Sequence, residues 1–298
     1  MKTLEDILRK RSSPALLIGN GINRYQNTNG SSSWESLLQQ IARAQNLAFS
    51  QNQLKEMSNT EFFDILDLAR PGDDRSDLQR KFCALMDSWQ PKSHHSKIVG
   101  WARSRSAPVI TVNFDENLSQ AVRAKYHAPK ARKGFTDYYP WTSYFAESEI
   151  ATPRTSFAIW HAHGMKRYSR SIRLGLTHYM GSVQRARSWV YGKKGIRMNA
   201  KESLSNWPGA NTWLDPLFFS PLLILGFGFG KDETFLRWLF LERARLHKIR
   251  PEWKQQAWYV TNKSSGNRDR SPFFKALGLQ MIEAESYEEI YDNPAWLP

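Results

Sequence analysis

Ala15-Leu16-Leu17-Ile18-Gly19-Asn20-Gly21-Ile22-Asn23-Arg24 sets an apolar run of strand length directly against a glycine-rich turn. Four consecutive apolar residues without alternation read as a strand buried on both faces. Glycines at its end allow a tight backbone turn and bring amide N–H groups close to a phosphate, where a following helix terminus adds a favourable field. Position 24 is Arg, so the full G-x-G-x-x-G pattern is absent, and the same residues also suit a purely structural turn.

Working outward, the same grammar recurs. Short apolar runs bounded by Gly, Asn or Pro occur at 108–112, 157–160, 222–225 and 257–260, and a last one at 279–282 precedes a short helical stretch at 287–290. Between them, 34–44, 60–69, 77–89, 98–103 and 233–245 repeat apolar residues at helical spacing. Strands alternating with helices imply an α/β fold, a Rossmann-like parallel sheet with helices on both faces and ligands beyond the strands' carboxyl ends. Two intervals exceed an ordinary crossover: a helical insertion at about 34–95 and a basic, aromatic insertion at about 165–215.

The 298 residues, 41% hydrophobic and 13% aromatic, suffice for a full core, and no Gly/Ser-rich or Pro-rich linker or fixed-period repeat divides them. One domain over 1–298 is expected. The nearly apolar stretch 217–230 is too short to cross about 30 Å of hydrocarbon. The opening MKTLEDILRKRS lacks the apolar region of a secretory signal. These features lead to the expectation of a cytoplasmic protein without membrane contact. With Cys83 as the sole cysteine, no intramolecular disulfide or cysteine-based zinc site can form, and Cys83 itself reads as a buried thiol in an amphipathic helix. Lys and Arg total 42 against 28 Asp and Glu, a net charge of +14 that favours anionic partners. Ten of these cations and no acid lie between 165 and 201, interleaved with Tyr168, Tyr179, Trp189 and Tyr191, a pattern that can hold phosphates and stack bases.

Polar chemistry concentrates at strand ends. The second strand runs into Thr111-Val112-Asn113-Phe114-Asp115, whose alternate residues Asn113 and Asp115 either converge on one side or cap a following helix. The third ends in His161-Ala162-His163-Gly164. A zinc reading of the two histidines would need a third ligand such as His178 or Asp115, which no spacing selects, so no metal is expected. The fourth runs into Gly226-Phe227-Gly228-Phe229-Gly230-Lys231-Asp232, a second glycine turn, and two such turns in one sheet favour a dinucleotide. His94-His95 reads as a capping or surface pair, and Trp101, Trp213, Trp238 and Trp258 as core.

Taken in order, these turns resemble the sirtuin-type (Sir2-like) NAD-binding family over about residues 14–290. Gly19-Asn20-Gly21-Ile22-Asn23 is similar to its G-A-G-x-S turn, and Thr111, Asn113 and Asp115 to its T-x-N-x-D-x-L motif, with Leu118 one position late. His163-Gly164 is similar to its catalytic His-Gly, Gly226-Phe227-Gly228 with Asp232 to its late ribose-binding turn, and Ser33-Trp34-Glu35-Ser36-Leu37-Leu38 to a segment frequent in bacterial members. The four zinc-binding cysteines of the deacylases are missing, so the chain resembles instead the bacterial NAD hydrolases of anti-phage defence, and a protein deacylase ranks below that reading.

The resemblance implies NAD+ as substrate and no zinc. It implies that Asp115 holds the nicotinamide carboxamide, Asn113 positions the ribose or the attacking water, and His163 contacts the ribose hydroxyls and accepts a proton. Thr111 belongs to the same cofactor-binding set. Gly19, Asn20, Gly21 and Asn23 would meet the pyrophosphate, with Arg24 as a phosphate partner or a solvated residue. Gly226, Phe227, Gly228 and Asp232 would line the adenosine half. His161 reads as structural. A homo-oligomer, or a gated complex with a HerA-like ATPase or an Argonaute-related sensor, is implied as the working form. Two other classes stay open: a nucleic-acid-binding subunit acting through 166–201, and a subunit that senses NAD or a related nucleotide without cleaving it.

Overall fold

The computed structural model describes residues 3–27, 32–70, 75–129, 139–197, 204–230, 233–265 and 270–297. Within them, eight strands form one sheet: β1 (Ala15–Ile18), β2 (Val109–Thr111), β3 (Lys125–His127), β4 (Tyr144–Ala146), β5 (Ile159–His161), β6 (Leu222–Leu225), β7 (Ala257–Asn262) and β8 (Gln280–Ala284). Their order across the sheet is β3-β4-β5-β2-β1-β6-β7-β8. From β5 to β8 every pairing is parallel, while β4 runs antiparallel to both β3 and β5. The chain builds outward from β1 through β2 to β5, then returns to β6 on the other side of β1 and builds away from it. This is the doubly wound, Rossmann-like order, and its reversal lies between β1 and β6.

The unbroken apolar runs are explained by burial on two faces. Ala15, Leu17, Leu222, Ile224, Ala257 and Tyr259 face one core with Trp213, Phe218 and the inner side of the helix Thr234–Ile249. Their neighbours Leu16, Ile18, Leu223, Leu225, Trp258 and Val260 face a second core with Ile98, Trp101, Tyr291 and Trp296. The period of two thus appears in which core a residue joins, not in polarity. Trp101, Trp213 and Trp258 are buried as expected, and Trp238 is partly buried.

Strands β1 and β6 coincide with their expected segments, whereas β5 begins two residues late. Its register with β2 (Val109↔Ile159, Thr111↔His161) carries the strand through His161. The hairpin of β3 and β4 was not foreseen: its strands are three residues each, and Lys125-Tyr126-His127 is a half-exposed edge without an apolar run.

Between β1 and β2 the chain forms the helices Trp34–Ala44, Gln51–Glu56, Asn59–Leu68, Arg75–Ala84 and Ser93–Ser104. Ser33, Ser50 and Ser58 start the first three, each Oγ accepting the backbone N–H three residues on. The first helices share a third core in which Leu38, Phe63 and Phe82 pack with Phe114, Ile172 and Leu174. Phe114 follows Asn113 directly, so this module is packed against the loops that carry the strand-end residues. Cys83 is buried in the same core, which pushes its thiol up to about 12. The basic interval becomes a 3₁₀ turn (Lys166–Ser171), a long helix (Leu176–Tyr191) and the approach to the helix Leu214–Phe219. No helix among the described residues is long and apolar enough to cross a membrane.

Candidate functional site

The two glycine turns meet back to back at the reversal point. Gly19 N–H donates to the Leu225 carbonyl at 3.0 Å and Gly21 N–H to the Gly226 carbonyl at 2.9 Å. A Cβ on Gly19 would stand 2.4 Å from the Gly226 oxygen, and Gly226 adopts φ +65° with the Tyr291 hydroxyl 2.8 Å from where its Cβ would be. The backbones therefore approach more closely than side chains allow. Because their N–H groups are already paired, Gly19 and Gly21 do not offer the amide cradle expected of them. Their contribution is the shape of the cleft.

That cleft, about 390 Å³, opens above the turns. Asn20 and Gly21 form one wall, Gly226, Phe227 and Gly228 another, and the ends of β7 (Thr261, Asn262) close it. Gly228 leaves its side open, with nothing within 4 Å of a Cβ position. Arg24 is exposed at the rim and forms no ion pair among the described residues. Asp232 lies outside the described residues.

Behind the cleft the polar strand ends form a buried network. The Thr111 hydroxyl donates to the Ile18 carbonyl at 2.9 Å and accepts the Asn113 N–H at 3.1 Å, tying β2 to β1. Asn23 uses its whole amide: Nδ2 donates to Asp115 Oδ2 (2.7 Å) and Asn20 Oδ1 (2.9 Å), while Oδ1 accepts from Asn117 Nδ2 (3.2 Å) and His95 Nε2 (3.0 Å). His95 Nδ1 accepts the Lys92 N–H, which fixes Nε2 as the protonated nitrogen. Asp115 Oδ1 also accepts the Asn117 N–H at 3.1 Å, so Asp115 both holds the network and supports the helix Asn117–Ala121. Burial raises the Asp115 carboxyl, against the pull of these donors.

Asn113 and His163 follow neighbouring strands, each two residues past the paired ends Thr111↔His161. Asn113 Nδ2 reaches the Gly19 carbonyl at 3.5 Å, and its Oδ1 is buried without a partner. His161 Nδ1 donates to the Asn113 carbonyl at 2.8 Å, and burial holds this imidazole below its ordinary value, in line with a structural role. His163 Nε2 pairs with Glu233 Oε2 at 2.9 Å, leaving Nδ1 buried and unpartnered. The two histidines thus turn to different partners, and among the described residues no three side chains are grouped to hold a metal ion.

None of the three catalytic candidates reaches the cleft wall. Asn113 is 1%, Asp115 3% and His163 0% exposed. Val112, Trp34 and Glu233 stand on the wall in front of them. Trp34 stacks on Phe114 (4.7 Å) and meets His163 edge-on (6.4 Å).

Several of these residues escaped the sequence reading. Glu233 was hidden beside Asp232, although an acid opening the helix after a glycine turn is a signal that could have drawn attention to it. Asn117 and His95 carried no signal. His94 and His95 are not a surface pair: both are buried, His95 caps its own helix, and His94 Nε2 donates to the Ile22 carbonyl. In the basic stretch, Lys166 pairs with Asp87, Arg167 with Glu116 and Arg197 with Glu242, and Arg170, Arg185 and Lys193 each have an interaction of their own. Lys201 lies outside the described residues, and Arg187 and Lys194 are left exposed, so the stretch is not a free cationic strip.

Comparison of the chain with family models and with curated proteins finds no match in either.

Two measurements test this geometry. Gly226→Ala forces a side chain into a left-handed conformation against Tyr291, and is expected to lower unfolding stability by about 2 kcal/mol or more in urea titration. His95 is held down to about 3, first by burial and then by the neighbouring His94. The unfolded chain takes up this proton below about 6.5 and the folded chain does not, so stability falls as pH drops from 6.5 towards 3, at up to about 1.4 kcal/mol per pH unit. His95→Gln should lessen the slope of stability against pH between 6.5 and 4 by up to one proton; an unchanged slope would refute the assignment.

Proposed function

We propose that this chain is an NAD+ glycohydrolase that cleaves the nicotinamide–ribose bond to give nicotinamide and ADP-ribose. The observation that carries the reading is the cleft between two glycine turns at the β1/β6 reversal, with Asn113, Asp115 and the His163–Glu233 pair buried at the adjoining strand ends. A reversal point in an open parallel sheet is where such folds bind dinucleotides. The cleft's size suits an extended ligand entering along the turns.

Cleavage of an N-glycosidic bond develops positive charge on the ribose and needs a directed water, so it calls for a carboxylate and a base in a site that excludes bulk water. Glu233 accepts from His163 Nε2 and thereby presents Nδ1 as the nitrogen free to take a proton. Asn113 Oδ1, also free, can accept a hydrogen bond from a ribose hydroxyl or from water while Nδ2 stays on the Gly19 carbonyl. Asp115 acts through Asn23 and Asn117, fixing the first glycine turn relative to β2. Access from the cleft to these groups requires Trp34 to leave Phe114.

This closed arrangement favours an enzyme that is silent until triggered. It accords with the wider reading from the resemblance, in which the chain depletes NAD during anti-phage defence as part of a gated assembly with a HerA-like ATPase or an Argonaute-related sensor.

The test is nicotinamide release from NAD+ by the purified protein, alone and with the product of the adjacent gene. Asn113→Ala and His163→Ala should each lose at least about 100-fold in rate while thermal melts still show folded protein at the assay temperature. Glu233→Gln should lose less and shift the pH profile. NAD+ bound but uncleaved under every condition would point to a sensor; cleavage that survives in both alanine variants would refute the assignment.

A further inference from the structure

A second chamber of about 170 Å³ adjoins the cleft and shares Trp34, Asn59, Gly228 and Glu233 with it. His163 lies behind the chamber's wall. Trp34, Tyr179 and Glu233 line it, and each touches the imidazole: Trp34 and Tyr179 edge-on, at 6.4 and 5.4 Å between ring centroids, and Glu233 by its hydrogen bond. The backbone N–H of Arg173, another wall residue, donates to the His163 carbonyl at 2.8 Å.

Arg173 is the unusual member. Its guanidinium lies over the Tyr139 ring at 4.6 Å, and Nε donates to the Ser182 hydroxyl at 2.9 Å. It forms no ion pair with any described residue, and its two terminal nitrogens have no hydrogen-bond partner among them. The carboxylate across the chamber, Glu233, has one oxygen on His163. Burial pulls the Arg173 guanidinium below its usual value, and the other influences on it come from the tyrosines Tyr139 and Tyr179, not from an acid. A half-buried cation without a counter-charge is costly, and arginine presents a planar fork of donors that matches oxyanions. Elsewhere in the same stretch Arg167 and Arg197 have protein carboxylates.

We infer that this chamber is an oxyanion subsite in which the terminal nitrogens of Arg173 bind a phosphate group next to His163, with the Thr60 hydroxyl on the same wall. The subsite follows from charge and burial, and does not require that the cleft's ligand be NAD. Its phosphate can come from a dinucleotide lying in the cleft or from a separate small phosphorylated ligand.

Calorimetric titration at low salt with ADP-ribose and with inorganic phosphate tests it. The variants are Arg173→Gln, Arg173→Lys and Thr60→Ile, the last narrowing the chamber without touching the guanidinium. Expected are at least tenfold weaker binding in Arg173→Gln, partial recovery in Arg173→Lys and a comparable loss in Thr60→Ile, with thermal melts showing folded protein. Should Arg173→Gln fail to fold, Thr60→Ile and Arg173→Lys carry the test. Loss for ADP-ribose alone assigns the phosphate to the dinucleotide. Loss for inorganic phosphate that still binds when ADP-ribose is saturating assigns it to a second ligand. Arg173-dependent phosphate binding in a protein that ignores NAD+ and ADP-ribose sustains the subsite and defeats the NAD reading. Binding of both probes indifferent to all three variants, or no binding of either probe by the wild type, overturns the subsite.

Discussion

The constraint on which the sheet's carboxyl end depends is a contact between two stretches of backbone, Gly19–Gly21 after β1 and Leu225–Gly226 at the end of β6. Two hydrogen bonds join them, and the space a Cβ would need is already filled by the opposing chain. Everything at the carboxyl end of the sheet is set by this. With the turns pinned together, neither can rise over the sheet edge, and a cleft is left above them at the point where strand order reverses. The same contact directs the helix Gly21–Arg24 so that Asn23 points inward toward Asp115 rather than to solvent.

From that anchor a polar network runs through the interior, and its accounting is instructive. Buried polar groups in folded proteins are nearly always satisfied, because an unmade hydrogen bond in a low dielectric is costly. Asn23 satisfies all four of its amide positions, His95 both ring nitrogens, and Asp115 accepts on each oxygen. Beside this network, Asn113 Oδ1, His163 Nδ1, His161 Nε2 and His94 Nδ1 are buried without a partner. The open positions at Asn113 and His163 lie on adjacent strand ends, and the bonds around them hold both residues in place.

The fold class was legible because burial on both faces leaves an unmistakable run, as in Leu222-Leu223-Ile224-Leu225, and because amphipathic helices intervene. The hairpin of β3 and β4 was illegible: three-residue edge strands carry no periodic signal, and Lys125-Tyr126-His127 is stabilised by pairing with β4 instead of by its own composition. At the site, Asn113, Asp115 and His163 were readable as polar residues at strand ends. Glu233 and His95 were not, since they come from distant segments and reach the cluster only through the tertiary fold, while Asn117 is a local partner two residues past Asp115. The cationic run at 166–201 shows the same dependence on distant segments. Its excess charge is real, yet the acids that neutralise Lys166, Arg167 and Arg197 lie at 87, 116 and 242, beyond any window a sequence scan would use.

Why the strand-end cluster is sealed follows from where its cover is attached. Trp34 is the first residue of the helix Trp34–Ala44, held at its start by the Ser33 cap, and its ring lies flat on Phe114, itself part of the insertion's core with Phe82. An aromatic stack contributes about 0.5–1.5 kcal/mol beyond area burial, a small quantity against the core that holds the helix. Tilting the ring off Phe114 therefore costs less than shifting the helix, whose Leu37, Leu38 and Ile41 are fixed in that core. Trp34, together with Val112 and Glu233, thus links the cover over the strand-end residues to the helical insertion.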